Sequence, residues 1–324
     1  MRGFSLFTTL TICLFSKLHA AENTCGPNVG SCAPDECCSL AGFCGKSPDY
    51  CVSPECQFRY GPACDANRIP TGSNTTSIPR TAIGNVLYGA DGIYDCANAG
   101  DVALTFDDGP GPYTSHILDL LDKYNAKGTF FISGNNNGKG AIDTTSLPWP
   151  DLIRRMYSSG HQVASHTWSH ADLSRLSSSE RRNEMIKNEM ALRNILGVIP
   201  TYMRPPYSSC SADSGCQADM KDLGYHITYF DLDTQDYLND SPDQIGKSKT
   251  IFDNAFAGKS NTDSEFLAIS HDIHEQTSEQ LVEYMLKGLK SRGYNSVTVG
   301  TCLGEPKDNW YRIDGSFRSR YQKT

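Results

Sequence analysis

The sequence predicts an α/β protein: a mainly parallel sheet with covering helices, either an open doubly wound sheet or, preferably, a barrel, preceded by a small disulfide-stapled module. Three observations predict it. From Val102 onward, seven short β-rich runs alternate with amphipathic helical patterns. Eight cysteines crowd between Cys25 and Cys64, a density typical of units too small to build a core. Between these regions, residues 65–85 are rich in Pro, Thr, Ser and Gly and read as a linker. At 324 residues the chain suits one large core plus a small module, because single cores stop growing near roughly 250–300 residues.

The first element is a leader. Arg2 gives a positive start, Phe4 to Phe15 is mostly apolar, and Leu18-His19-Ala20 ends on a small residue, so residues 1–20 read as a signal peptide. No later stretch approaches the roughly 18 apolar residues of a membrane span. Of 13 cysteines, Cys13 leaves with the leader and 12 remain, an even number suited to disulfides in an oxidising compartment. Asn74-Thr75-Thr76 and Asn239-Asp240-Ser241 are glycosylation acceptors that agree with export. The formal charge is −8, and loss of Arg2 and Lys17 makes it more negative, which disfavours nucleic acid as a partner. A secreted protein, extracellular or held at a cell wall and acting as a monomer without a membrane, is expected. The tail, residues 306–324, ends in basic and polar residues without the hydrophobic segment of a lipid-anchor signal.

The next elements are residues 21–64, the module, and residues 86–305, the main domain. In the latter the predicted strands are Val102–Phe106, Thr129–Ile132, Gln162–Ser165, Thr201–Met203, Tyr225–Phe230, Phe266–Ser270 and Ser296–Val299. Ile117, Leu118, Leu121 and Tyr124 share one helical face. Ser177 with Glu180 makes a capping box for a helix that stops at Gly197. His161 and His226 sit at strand starts and His116 lies in a helix, so ordinary structural roles are expected for them.

In either architecture the carboxyl ends of the strands form the active face. "LTFDDGPGP" puts Asp107 and Asp108 there, and His166, Arg204, Asp231 and His271 also follow predicted strands. "SHTWSH" spaces His166 and His170 four residues apart, which on a helical turn would bring both imidazoles to one face. One Asp plus two His leaves a position for water, the open geometry of hydrolytic zinc. With Asp108 as ligand, Asp107 is placed to take a proton from that water, and Arg204 to keep it ionised. His271 suits a general acid, with Asp236 of "DLDTQDY" as its orienting carboxylate.

TFDDGP, HTWSH, RPPY, DTQDY and ISH together resemble carbohydrate esterase family 4, the polysaccharide deacetylases, from about Val86 to Glu305. The resemblance implies a distorted (β/α) barrel of about seven strands. It implies a divalent ion, zinc or alternatively cobalt, on Asp108, His166 and His170. It further implies Asp107 as base paired with Arg204, His271 as acid supported by Asp236, and the Tyr207 backbone N–H as oxyanion donor. Tyr207, Tyr237 and Ile269 would line the substrate pocket, Tyr237 standing where many members carry Trp. The module resembles hevein-type chitin-binding domains. Their pattern implies the pairs Cys25–Cys38, Cys32–Cys44, Cys37–Cys51 and Cys56–Cys64, with Ser39, Phe43 and Tyr50 on the sugar and Ala41 at a position usually aromatic. Cys210 with Cys216 would close a local loop, and Cys96 with Cys302 would tie the ends of the domain.

The expected function is therefore removal of N-acetyl groups from chitin or chito-oligosaccharides. Its rivals are peptidoglycan or acetylxylan deacetylation, and a non-catalytic protein that binds and shields chitin.

Overall fold

Residues 23–314 are described by the computed structural model, so the expected leader and the last part of the expected tail lie outside the described residues. The main sheet is wholly parallel: β1 (Gly89–Ile93), β2 (Asp101–Asp107), β3 (Thr129–Ile132), β4 (Gln162–Ser165), β5 (Tyr202–Met203), β6 (His226–Thr228), β7 (Leu232–Asp233), β8 (Phe266–His271) and β9 (Asn295–Val297). Its order is β7-β8-β2-β3-β4-β5-β6-β1, with β9 against the start of β2. β6 and β7 belong to one bent run, whose first half pairs with β5 and whose second half pairs with β8. The order thus returns on itself. The sheet is curled into a distorted barrel completed by a kinked strand, not an open doubly wound sheet.

The central strands are the near-continuous apolar runs that parallel sheets covered on both faces require. Val102, Ala103, Leu104, Phe106, Phe130, Phe131 and Ile132 are fully buried. The longer helices are α1 (Thr114–Lys123), α2 (Trp149–Ser158), α3 (Ser178–Leu196), α4 (Cys216–Leu223), α5 (Ile245–Ala255) and α6 (Val282–Arg292). α1 buries Ile117, Leu118 and Leu121, with Tyr124 packed at the edge of the same core. α3 starts on the Ser177–Glu180 capping box and ends where Gly197 adopts φ 75°, a conformation that costs glycine little. Two strands have weak sequence signals, since β1 is glycine-rich with an irregular register and β7 is two residues long.

α3 buries charge as well as apolar surface, and that charge organises the segment expected to be a free linker. Lys187 Nζ donates to Ala66 O at 2.7 Å, Arg193 Nη2 to Ser73 O at 2.6 Å and Asn194 Nδ2 to Thr71 O at 3.0 Å. The fully buried Glu189 carboxylate accepts two bonds from Arg80, at 2.6 and 2.8 Å, and one from Thr75 Oγ1. Residues 65–85 are therefore a strap along α3, because buried side chains on the helix need these partners. The boundary expected at residue 305 also falls too early: Tyr311–Ile313 pairs antiparallel with Val198–Pro200, and Trp310 and Tyr311 enter the core.

The amino-terminal module has only a two-residue ladder, Cys37–Cys38 with Cys44–Gly45, and a short helix, Pro48–Cys51. Disulfides join Cys25–Cys38, Cys32–Cys44, Cys37–Cys51 and Cys56–Cys64. In the main domain Cys96–Cys302 joins residues 206 apart and Cys210–Cys216 closes a short loop. No helix among the described residues is long and apolar enough to cross a membrane.

Arg80→Ala should strand the Glu189 carboxylate in the interior and lower the unfolding free energy by roughly 3–5 kcal/mol. Urea titration measures this. A loss below about 1 kcal/mol, the range of exposed ion pairs, would show that the strap is not a structural element.

Candidate active site

Asp107 ends β2 in extended conformation, where the next side chain would ordinarily point to the opposite face. Asp108 instead has φ 75°, a left-handed geometry uncommon for a non-glycine residue, and both carboxylates enter one cleft. The turn is held from behind. Lys139 Nζ donates to the carbonyls of Asp108 and Gly109, each at 2.7 Å. Asp272 packs so closely that a Cβ on residue 109 would lie 2.1–2.4 Å from its carboxylate, so only glycine fits. Lys139 is half-buried, and desolvation of its ammonium lowers its pKa against the opposing pull of Asp272 and Asp108. Neither Lys139 nor Asp272 was anticipated. Asp272 directly follows His271 in "ISHD", and Lys139 lies in the aperiodic "SGNNNGKG".

His166 and His170 converge, but not on a helical turn. The segment after β4 is a loop in which Thr167 and His170 have φ 69° and 59°. Buried Trp168 wedges the loop against Gly134, and Glu184 of α3 accepts from Ser169 N–H at 2.7 Å and Ser169 Oγ at 2.8 Å. The left-handed residues perform the reversal that helical spacing was expected to perform.

The resulting cluster has the chemistry of a cation site. His166 Nε2 lies 3.4 Å and His170 Nε2 3.0 Å from Asp108 Oδ1, and the three ligand atoms fall within 4.8 Å of one another. His166 Nδ1 is 2.7 Å from the Arg204 carbonyl, an acceptor only, so Nδ1 carries the proton and the Nε2 lone pair faces Asp108. Tyr207 Oη lies 3.2 Å from His170 Nδ1. Asp108 Oδ1 is buried with no hydrogen-bond donor. An orphaned carboxylate oxygen facing two imidazoles fits a divalent ion in the Asp-His-His manner.

On one side of this cluster Arg204, 1% exposed, donates to Asp107 Oδ1 at 2.8 Å and to Thr105 Oγ1 at 2.7 Å. Its remaining donors reach the carbonyls of Thr228 and Tyr229, and its guanidinium lies 4.2 Å from the Phe131 ring centre. On the other side His271 Nδ1 pairs with fully buried Asp236 at 2.8 Å, and Asp236 also accepts from His271 N–H and Thr277 Oγ1. Burial opposes a charged imidazole. The Asp236 carboxylate overrides it, helped by Asp108 and Asp107, and pushes the His271 pKa up to about 10. The cleft, about 360 Å³, is also lined by Tyr207, Tyr237, Ile269 and His274. Tyr237 stands edge-on to His271, with ring centres 5.3 Å apart, and His274 is held by Asp240 at 3.0 Å.

Two expected residues take other roles. Asp231 stays outside the cleft because its carboxylate accepts the Leu267 N–H at 2.7 Å. Asn239, expected to carry a glycan, is 5% exposed, and its Nδ2 donates to Gln235 O at 2.9 Å and Ser248 Oγ at 3.2 Å, so the acceptor nitrogen is enclosed. Asn74 is exposed. His161 and His226 are buried before β4 and at the start of β6, and burial pushes each pKa down to about 4.

The polysaccharide deacetylase family profile matches residues 95–228. The chain is 46% identical over 220 residues to the chitin deacetylase of Colletotrichum lindemuthianum, covering 68% of this chain and 86% of that one. It is 43% identical over 220 residues to the chitin deacetylase of a Pestalotiopsis species, covering 68% and 69%. The solved structure of the Colletotrichum lindemuthianum protein superposes with a TM-score of 0.66 at 44% identity, covering 70% of this chain and 97% of that chain.

In the metal-free protein, NMR titration should find the His271 ring protonated up to about pH 10. Asp236→Asn should lower that value by roughly 1–3 units. Because the folded-state pKa is raised, the stabilisation is complete below the ordinary histidine range and is lost as pH climbs through the raised value. An unmoved His271 titration would mean that Asp236 does not set its charge.

Proposed function

The chain belongs to the polysaccharide deacetylase family, and from that premise we propose that it is a secreted chitin deacetylase, hydrolysing the N-acetyl groups of N-acetylglucosamine units in chitin or its oligomers to give chitosan and acetate. The observation that carries the reading is the cleft itself: an Asp-His-His cation site stands between an Asp–Arg pair and an Asp–His pair. That is the equipment for splitting an unactivated amide, which needs a base for water and an acid for the departing nitrogen.

The donor set suits zinc best, with cobalt as an alternative, and such an ion on Asp108, His166 and His170 would supply Lewis acidity to the acetamide carbonyl and to water. The protein's own groups divide the proton work. Arg204 occupies Asp107 Oδ1 and leaves Oδ2 to accept the proton of the attacking water. The Tyr207 backbone N–H would donate to the carbonyl oxygen as its charge grows. His271 then protonates the amine nitrogen as the C–N bond breaks, and Asp236, by holding Nδ1, leaves Nε2–H as the donor. Tyr237 and Ile269 would form the apolar wall beside the reacting group.

The amino-terminal module would bind chitin as hevein-type domains do. Exposed Phe43 is positioned by Ser39, whose Oγ accepts the Phe43 N–H at 3.2 Å, while Tyr50 packs over Gly45. Aromatic faces beside a hydroxyl suit the apolar face and acetamide of an N-acetyl sugar. The disulfides support an extracellular or wall-associated location.

Acetate release from N-acetylglucosamine oligomers, beside acetylated xylan, is the test. Wild-type protein should release acetate from the chitin oligomers, lose activity on chelation and regain it with zinc. Asp107→Asn should lower kcat by roughly 10²–10⁴-fold. No release from any acetylated glycan, with chitin binding intact, would overturn the enzyme reading in favour of a shielding protein.

A further inference from the structure

A second cavity, about 710 Å³, lies between the module and the main domain, with Leu40, Gln57 and Tyr60 on one wall and Asp172, Arg175 and Tyr207 on the other. Its size is that of a ligand site. We propose that this groove binds further sugar residues of the same neutral N-acetylglucosamine chain whose acetyl group is being removed, so that module and domain form one extended binding surface. The proposal rests on the deacetylase reading and adds the location of the remote subsites.

The walls are joined by direct contacts. Arg59 of the module forms a fork on Glu180 at the start of α3, both bonds 2.6 Å, and Asn137 N–H donates to Ser53 O at 3.0 Å. Glu180 is also the capping-box residue of α3, so the docking contact is made by a side chain already ordered by the helix. Arg59 holds the Glu180 carboxyl down at a pKa of about 2, and the fork stays charged across the physiological range.

The groove also meets the catalytic cleft. Tyr207 lines both cavities, is 60% exposed and stands edge-on to His170 with ring centres 4.7 Å apart. Ser169 on the groove side is followed directly by His170 on the cleft side. A linear chain with one residue at His271 and Asp107 can therefore pass over Tyr207 into the groove.

The lining fits a neutral sugar better than a charged ligand. The lining carries two carboxylates, Glu55 and Asp172, and two guanidinium groups, Arg175 and the Glu180-bound Arg59, so neither sign dominates it. Exposed Leu40 and Tyr207 offer apolar surface for ring faces, while Gln57, whose Nε2 donates to Ser39 O at 2.7 Å, links the groove wall to the Ser39 loop. Leu40 directly follows Ser39, so the groove runs to the loop proposed to hold the sugar on the module.

The test compares kcat/KM on the di- and hexasaccharide of N-acetylglucosamine for full-length wild type, Arg59→Glu and Arg175→Ala, each variant's own disaccharide rate reporting the integrity of its fold and cleft. Calorimetry of hexasaccharide binding to the chelated proteins gives a readout independent of turnover. Wild type should favour the hexasaccharide by roughly tenfold or more, the scale on which joined sites act, and both variants should lose most of that preference and bind the hexasaccharide more weakly. Unchanged preference and affinity in both variants, or a wild type indifferent to chain length, would overturn the groove. Absence of acetate release from either oligomer would instead overturn the deacetylase reading.

Discussion

The buried ion pair between Arg204 and Asp107 is the constraint around which the mouth of the barrel is assembled. Its guanidinium joins Thr105 and Asp107 of β2 to the carbonyls at 228 and 229 in the bent run, and lies over Phe131 of β3. Distant parts of the chain are thereby held to one geometry by a rigid planar group. Stability alone is a poor account of such a pair, because its desolvation costs several kcal/mol per ion and apolar replacements are often as stable. Its position is the better account: one carboxylate oxygen is taken, and the other is left facing the cleft.

Backbone conformation does the rest. Asp108, Thr167, His170, Tyr207 and Gln235 all have positive φ, and they lie after β2, β4, β5 and β7. Each such residue costs on the order of 1–3 kcal/mol. The structure meets that cost locally. Lys139 and Asp272 pin the turn at Asp108, Glu184 and Trp168 pin the loop to His170, and Tyr207 is braced against the His170 ring. Left-handed residues also occur elsewhere, as at Ala90 in β1 and at Asn125, but around the cleft they sit in the segments that aim side chains.

This division explains what the sequence could disclose. β2, β3 and β8 were legible because both faces are buried and their composition is mostly apolar; β4 is half polar, with Gln162 and Ser165 around Val163 and Ala164. The residues gathered in the cleft were legible because strand ends of a parallel sheet face one way, so Asp107, His166, Arg204 and His271 could be brought together without knowledge of any loop. What could not be read was the reversal after β4, since the left-handed φ of Thr167 leaves no mark in composition. The strap of residues 65–85 was hidden for a related reason. Arg181, Glu184, Glu189 and Arg193 make α3 look like a solvated helix, and only the fold shows that these side chains are buried against partners far away in sequence. Asn239 shows the same limit at one residue, because a sequon reports a sequence but not the access of its nitrogen.

The arrangement of charge in the cleft suits a cation. Asp107 and His271 are register partners on the neighbouring strands β2 and β8, so a carboxylate and an imidazolium there could neutralise one another. Each is instead supplied with its own buried partner, Arg204 for Asp107 and Asp236 for His271. With those two pairs balanced, and Lys139 engaged with backbone carbonyls beside Asp272, the carboxylates left over in the cleft are Asp233, which accepts from Tyr237 Oη at 3.2 Å, and Asp108. Its orphaned oxygen faces His166 and His170. An anionic ligand set whose own side chains are mostly buried attracts a divalent ion more strongly than the same residues would on the surface, because the low local dielectric strengthens the attraction. The paired groups on either side keep that attraction from being spent on the protein's own arginine and histidine.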